Sequence, residues 1–488
     1  MDTQVIVVGA GPVGLLLAGE LRLGGADVTV VERLARPTTE SRASTLHART
    51  MEVLDQRGLL ERLGARPREP KGHFGGIPLD FSALPSPYAG LWKVPQTRLE
   101  PLLEEWVRDL GAVVLRGCEL TGMTAVGDAV EAELAAEQGS SRIRSAFLVG
   151  CDGERSTVRR LARFDFPGRP AGREMLRCDV AGVDIPDRRF ERLPGGLAVA
   201  GRLPGGVTRV MVHRFGARPA RRVGEPEFAE VVKEWATVTG EDIGAGTPLW
   251  VNAFDDTARQ AARYRQGRIL LAGDAAHVQM PVGGQALNLG LQDVVNLGWK
   301  LAAELRGDAA DGLLDTYHSE RHAVGRRVLA NIGAQALVLL GAQEVRPVRE
   351  LLAELMELDS VRGHLASMVS GLDVRYDTGS GQDPLLGLRM PPTGLRTRAG
   401  RTDTARLLHP AHGVLLDLGA GRWAKAADRW ADRVDAVVAE PVAATTGTPS
   451  VDAGAVLLRP DGHVVWTDAD GTSVEEALRR WFGVPLSR

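Results

Sequence analysis

Gln4-Val5-Ile6-Val7-Val8-Gly9-Ala10-Gly11-Pro12-Val13-Gly14 is a short apolar run that empties into a glycine turn. A helical segment, Leu15–Leu23, follows, then a second apolar run, Asp27–Val31, which ends at Glu32. A bare G-x-G-x-x-G says little. One framed by strand, helix, strand and an acid about 20 residues on is a dinucleotide-binding signature. Gly9 permits the tight turn, Gly11 lets the backbone approach a pyrophosphate, and Gly14 lets the helix pack on the sheet. The helix N-terminus beyond Pro12 offers unpaired N–H groups and the positive end of its dipole to phosphates. Glu32 is placed to accept hydrogen bonds from ribose hydroxyls and to repel a 2′-phosphate. The unit leaves open whether the adenosine belongs to NAD or FAD.

A second stretch addresses that choice. Arg268-Ile269-Leu270-Leu271-Ala272-Gly273-Asp274-Ala275-Ala276-His277 is an apolar strand ending in Gly-Asp. Pro281-Val282-Gly283-Gly284-Gln285-Ala286-Leu287-Asn288 follows and opens a helical run to about Leu305. An acid at a strand end accepts hydrogen bonds from a polyol, and a Gly-Gly pair at a helix start lets backbone amides touch a flat ligand. FAD asks for both, since its ribityl chain and isoalloxazine lie far from its adenosine; NAD has no ribityl chain. Between the two stands Val149-Gly150-Cys151-Asp152-Gly153-Glu154-Arg155-Ser156-Thr157-Val158-Arg159, again strand, Asp-Gly and a helix opened by a Ser/Thr pair.

These three motifs, in this order and at roughly this spacing, resemble the group A flavoprotein monooxygenases of the p-hydroxybenzoate hydroxylase fold, over about residues 1–380. A closer resemblance is to the bacterial hydroxylases of aromatic polyketides, the angucyclinone and anthracyclinone hydroxylases. It is carried by Glu40-Ser41-Arg42, His47-Ala48-Arg49-Thr50-Met51-Glu52-Val53-Leu54-Asp55-Gln56-Arg57-Gly58, His73-Phe74-Gly75-Gly76 and Val94-Pro95-Gln96. Rifampicin-type monooxygenases share most of it. The resemblance implies that Gly9, Gly11 and Gly14 hold the FAD pyrophosphate, Glu32 the ribose, Asp152 both FAD and a nicotinamide cofactor, and Asp274 the ribityl chain. It places Pro281–Asn288 beside the flavin ring and adds Pro12, Val13, Arg33, Arg42, Gln96, Leu120, Gly273, Gln285, Ala286, Leu287 and Asn288 to the cofactor contacts. It further implies NADPH, or NADH, as a transient reductant without a second Rossmann fingerprint, O2 as co-substrate, and hydroxylation of a polycyclic aromatic polyketide through a flavin C4a-hydroperoxide. Baeyer–Villiger insertion and antibiotic inactivation are the runners-up, with a flavin dehydrogenase or a non-catalytic flavoprotein as readings from other classes. A halogenase is set aside, for no Trp-x-Trp-x-x-Pro segment occurs. The helix opening after Gly283-Gly284 is expected to face the negative charge of reduced flavin, worth about 0.3–2 kcal/mol. No general base is assignable; His73 is a candidate and otherwise a structural histidine.

Composition bounds the rest. A net charge of −3 over 488 residues, with arginines scattered, argues against nucleic acid. The N-terminal apolar stretch lacks the basic and cleavage regions of a signal peptide, and no stretch approaches the roughly 20 apolar residues of a membrane span. Cys118, Cys151 and Cys178 have neither CxxC spacing nor histidine companions, which excludes zinc and disulfide scaffolds. The expected compartment is the cytoplasm and the expected state a monomer or homodimer.

The predicted fold class is α/β: a Rossmann-type FAD-binding domain, a β-sheet substrate domain and a thioredoxin-like C-terminal domain without cysteines. The FAD-binding domain is expected to be discontinuous, over 1–175 and 263–385. Residues 176–262, with a loop at 76–95, are expected to cover the substrate. Leu197, Val210, Met211, Val212, Phe215 and Trp250 are the candidate pocket residues there, with core as the alternative for each. Residues 390–488 carry strand candidates Gly413–Leu418 and Val434–Ala439, a hairpin about Pro460-Asp461-Gly462, and a last helix opened by the capping box Ser473-Val474-Glu475-Glu476. That unit is expected to pack or assemble, with no redox role.

Overall fold

The computed structural model describes residues 2–38, 43–220, 222, 224–379, 381, 383–442 and 451–486. Its largest sheet carries six strands in the order Arg265–Gln266, Ile269–Leu271, Phe147–Gly150, Val5–Val8, Val28–Glu32 and Val113–Arg116. All pair in parallel except the first. Val5, Ile6 and Val7 are fully buried, as expected of a parallel sheet covered on both faces, whose strands read as unbroken apolar runs. Helix Pro12–Leu23 covers one face and packs against helix Gln285–Arg306 and helix Gln96–Asp109. Ala302 and Glu20 come so close to Gly24 and Gly298 that a Cβ at either glycine would collide.

A second sheet, of five antiparallel strands, is built from Glu174–Ala181, Arg188–Leu193, Gly196–Leu203, Val207–Arg214 and Thr247–Asp255. Helix Phe228–Thr239 closes its outer face around buried Trp235. Strand alternation sorts the candidate pocket residues. Val210 and Val212 point into that core, whereas Met211, between them, faces the opposite side. Leu197 is fully buried, Phe215 lies against the Arg192 guanidinium and Trp250 against that of Arg177. Of the six, only Met211 lines the cavity described below. The segment 76–95, expected to be loop, contains strands Ile77–Asp80 and Leu91–Lys93, which pair with Lys71–Phe74 and with Thr45–His47.

Helix Thr316–Leu340 corrects one expectation: by length and composition it is apolar enough to span a bilayer. Its inward face nevertheless carries Arg321, Asn331 and Gln335, buried and hydrogen-bonded within the protein, which marks a core helix.

In the C-terminal unit the strand order is Val434–Val438, Gly413–Asp417, Ala455–Leu458, Val464–Thr467. The first two are parallel, and Ala455–Leu458 runs against both of its neighbours. This is the thioredoxin-like arrangement, with the connection between its first two strands reduced to a single short helical turn, Asp428–Trp430. The capping box at Ser473 and Glu476 is present in both directions. Trp299 and Ala303 of helix Gln285–Arg306 enter the same apolar cluster as Trp430, Trp466, Trp481 and Phe482, so the unit covers apolar surface of the first domain.

Candidate active site

Parallel pairing brings the carboxyl ends of four neighbouring strands to one edge of the sheet. Val8 is in register with Val31 and Gly150, and Gly150 with Leu271. Ligands of open α/β sheets bind outside such ends. The three motifs, separated by more than a hundred residues in sequence, are therefore side by side here.

Gly9 adopts φ +107°, and a Cβ on it would meet the Cys151 carbonyl; one on Gly14 would collide with the Gly9 carbonyl. Gly11 differs: nothing lies within 4 Å of its Cβ position. It is the N-cap of helix Pro12–Leu23, with Pro12 at the first turn and no side-chain cap. Unpaired amides therefore face open space, the arrangement a pyrophosphate requires. Glu32 accepts a hydrogen bond from the Ala10 N–H at 2.8 Å and another from the Leu34 N–H at 2.8 Å, which holds the acid beside the turn. Arg33 is exposed next to it. Val13 packs under Gly273 and Gly290, and Leu120 is buried in the core.

Asp274 follows Gly273 in a short helical turn and accepts no hydrogen bond among the described residues. It remains open to solvent, yet protein crowds it. The crowding raises its carboxyl above the usual range; His277 opposes this and Asp293 adds to it. An acid held without a donor fits a polyol. Asp293 supports the turn: it accepts from the Gly273 N–H at 3.2 Å, from Arg321 Nε at 2.8 Å and lies 2.7 Å from His277 Nε2. Burial alone would raise Asp293, but Arg321 and His277 outweigh it and keep the carboxyl below its usual range. Asp293 was not singled out from sequence. The available signal was an acid inside the apolar run Leu289–Leu297 of a helix.

Asp152, like Glu32, holds its own loop: its two oxygens accept from Ser156 Oγ at 2.6 Å and from the Val158 N–H at 3.0 Å. Gly153, beside it, again faces open space. Gln96 donates to Glu100 at 2.6 Å. Arg42 lies outside the described residues.

At the far end, Gly283 and Gly284 have φ of +68° and +69° and precede helix Gln285–Arg306. Asn288 pins this start in place. Its Oδ1 accepts from the His47 N–H at 2.8 Å, and its Nδ2 donates to the Thr45 and Gly284 carbonyls at 3.1 and 2.7 Å. A contact between Asn288 and cofactor is thereby left to the backbone. His47 is fully buried beneath the turn, its ring nitrogens close to the Val369 and Gly283 backbone but outside good hydrogen-bond geometry. Burial lowers its pKa to about 4, so it is neutral. A line of buried amides reaches the same turn: Gly75 N–H to Gln335, Gln335 to Asn331, Asn331 to Gln285, at 3.3, 3.1 and 3.2 Å. Gln285 Nε2 ends the line without a partner.

Pro281–Gly284, Ala286 and Leu287 form one wall of a cavity of about 570 Å³. Met175 and Met211 of the antiparallel sheet form the facing wall, and His73 and Phe81 close the side. His73, the candidate base, stands on the hairpin strand Lys71–Phe74. Its Nδ1 accepts from the Gly76 N–H at 3.2 Å. Burial, reinforced by the Arg189 and Lys93 charges, lowers its pKa to about 4. A group of that pKa is a poor general base at neutral pH. No cluster able to hold a metal occurs among the described residues.

An uncapped glycine-turn helix, an acid at the next strand end, an unpartnered acid at a third strand end and a twin-glycine helix start beside a cavity define an FAD-binding oxidoreductase site. Residues 2–332 match the FAD binding domain family, and residues 383–485 match the aromatic-ring hydroxylase C-terminal family. The chain belongs to the FAD-dependent aromatic-ring hydroxylases. It is 42% identical to a 12-dehydrotetracycline 5-monooxygenase/anhydrotetracycline 6-monooxygenase of Streptomyces rimosus, over 99% of this chain and all of that one. It is also 42% identical to a rifampicin monooxygenase of Streptomyces venezuelae, over 98% of each. CabE, an aromatic hydroxylase from angucycline biosynthesis, superposes with a TM-score of 0.95 at 50% identity, covering 99% of this chain and all of its own.

Proposed function

We propose that the protein hydroxylates a polycyclic aromatic polyketide, with NADPH as reductant and dioxygen as the oxygen source. The observation that carries this reading is the cavity of about 570 Å³, whose wall is the same glycine-paired helix start that the FAD ring would face. A drug-sized ligand needs a space of this order. Gly9, Gly11, Gly14 and Glu32 would hold the adenosine end of FAD, Asp274 the ribityl chain, and the Gly283–Leu287 segment the ring. Bound flavin supplies the activation of oxygen. The chain's own task is to orient the substrate ring, exclude water and keep the polar groups about the turn neutral. Asp152, with its carboxylate committed to its loop, acts through backbone placement of Gly153. The free state of all three described cysteines suits a reducing cytoplasm.

Feeding purified, FAD-loaded enzyme a panel of tri- and tetracyclic hydroxyquinones with NADPH tests the reading. Mass spectrometry should register the gain of one oxygen; NADPH oxidation with no oxygenated product from any member refutes it. The equal similarity to a rifampicin monooxygenase warrants an ansamycin in the same panel, where oxidation of that compound alone would shift the reading to antibiotic inactivation.

A further inference from the structure

A second cavity, of about 680 Å³, lies behind the helix start that walls the first. Helix Gln285–Arg306 separates the two. Ala286 and Leu287 face the first cavity, whereas Gln285, Asn288, Leu289 and Gln292 line the second. Those four positions, i, i+3, i+4 and i+7, form one helical face. Helix Thr316–Leu340 presents a matching stripe that includes Ala323 and Val324. Val369, near the end of helix Asp359–Ser370, and Trp481 of the last helix complete the wall.

Two properties of the lining define what fits. Its charges balance. Arg327 pairs with Asp373 at 2.5 Å and Glu320 is held by Lys300 and Arg459, which leaves Asp311 and Asp377 against Arg375 and Arg480. Its unmet polar groups are amides. Gln285 is buried and its Nε2 has no partner. The Gln292 side chain makes no hydrogen bond among the described residues. Seven residues of helix span about 10 Å, the length of a fused tri- or tetracyclic ring system.

The lining also reaches the groups that hold the cofactor turns. Asn288 donates to the Gly284 carbonyl at 2.7 Å. Tyr376 accepts from Arg321, which holds Asp293 beneath the Gly273 turn. We propose that this cavity is a second small-molecule site, taking an uncharged planar polycycle with oxygen at both ends, and that its occupant braces the cofactor turns from behind. The volume suits a drug-sized ligand. Leu289, Val324, Val369 and Trp481 would cover the ring faces, and a carbonyl or ether oxygen would answer each amide. An ion is disfavoured, for the lining has no surplus charge to answer it. The site is independent of what the first cavity oxidises.

Equilibrium dialysis of the FAD-loaded protein against 2,6-dimethoxyanthraquinone, without reductant, counts the sites. Ala323→Trp fills the groove from its exposed rim and should bind one equivalent fewer than the native protein at equal FAD content. Gln292→Met keeps the side-chain length, drops the amide, and should weaken that equivalent about three- to tenfold. Anthraquinone-2,6-disulfonate, charged at both ends, should bind there about tenfold more weakly than the dimethoxy compound. Saturating dimethoxyanthraquinone should tighten FAD binding to the native apoprotein about fivefold beyond any gain seen in Ala323→Trp. Equal stoichiometry in the native and Ala323→Trp proteins, binding to neither, or no weakening in Gln292→Met overturns the site. Equal affinity for the disulfonate overturns its preference for neutral ligands. A gain in FAD affinity that is the same in both proteins arises from the first cavity and overturns the brace.

Discussion

Polar side chains collect in two places in this protein, and their charges are answered differently. At the junction with the C-terminal unit the buried charges pair with one another, while Gln56 Oε1, Trp299 Nε1 and Arg389 Nε stay unpartnered. The turn Pro460-Asp461-Gly462 inserts into the first domain, where Arg57 donates to the Pro460 carbonyl at 2.9 Å and Arg49 to the Asp461 carbonyl at 2.7 Å. Arg57 also grips Glu20 at 2.6 and 2.8 Å. Arg459 reaches Glu320 at 2.7 and 2.9 Å and pairs with Asp461, and Lys300 lies 2.8 Å from Glu320. At the sheet edge and cavity, by contrast, exposed Asp274 accepts no hydrogen bond among the described residues, and buried Gln285 Nε2 has no partner. Burying a charge without a partner costs more than burying a neutral polar group. The junction's charges are answered by protein, whereas that of Asp274 is left to solvent or a ligand.

The charge-paired junction should therefore be brittle. Burial alone would raise the Glu320 carboxyl, but Arg459 and Lys300 outweigh it and hold the group near about 2. Glu320→Gln strands buried Lys300 and leaves Arg459 with Asp461 alone, and should cost about 3–5 kcal/mol. Thermal or urea unfolding should show that loss, while the flavin content of the molecules that remain folded stays unchanged. Equal loss of flavin and stability would mean that the two clusters form one unit and that the contrast fails.

His47 tests the open cluster through pH. Its folded pKa of about 4 lies below the ordinary 6.5 of histidine, so the unfolded chain binds this proton first as pH falls. The contribution is in place above pH 6.5 and is lost between there and about 4, on the order of 3 kcal/mol in all. His47→Gln should flatten the stability profile across that window relative to the native protein. An unchanged slope would mean that His47 is not held neutral in the folded protein.

Asp274→Ala separates ligand from scaffold more gently. An acid with no protein partner can be removed without stranding a donor, so the apoprotein should unfold at nearly the native temperature. Losing hydrogen bonds to a charged group should cost FAD about 1.5–3 kcal/mol of binding, read as flavin released on dilution and gel filtration. Full occupancy in the variant would remove Asp274 from the cofactor site.

The contrast was only half legible in the sequence. The glycine turn, Glu32, Asp274 and the twin glycines announce themselves because local geometry fixes their chemistry: a strand end, a turn, a helix start. The substrate sheet was legible as strands, but which face of Val210-Met211-Val212 meets the cavity depends on what packs outside, and a run apolar on both faces does not record it. Asn288 and His47 were read as motif members; their partnership spans 241 residues and appears only when the chain folds. The same holds for Asp293 with Arg321 and for the junction, where the charged residues of one hairpin turn meet helices from the opposite end of the chain.

Gly284 gives the finest test, because the protein leaves room there. A Cβ at Gly284 would lie 3.5 Å from His47 Nε2 and 3.6 Å from Thr45 Cβ, ordinary contact distances. The left-handed backbone is the remaining obstacle, worth roughly 1–2 kcal/mol for a non-glycine residue. Gly284→Ala should thus lower apoprotein stability by about that amount and leave FAD bound through Glu32, Asp274 and the first glycine turn. If the flavin ring lies against this helix start, the added methyl, already in contact with His47 and Thr45, would shift the turn against the ring. Reductant consumption should then separate from product, with hydrogen peroxide released in place of oxygenated substrate. At Gly14 the same substitution collides with the Gly9 carbonyl and should instead damage folding and flavin binding together. A Gly284→Ala enzyme that stays fully coupled would show that nothing but solvent faces this turn, and the wall assigned to the cofactor would have to be sought elsewhere on the cavity.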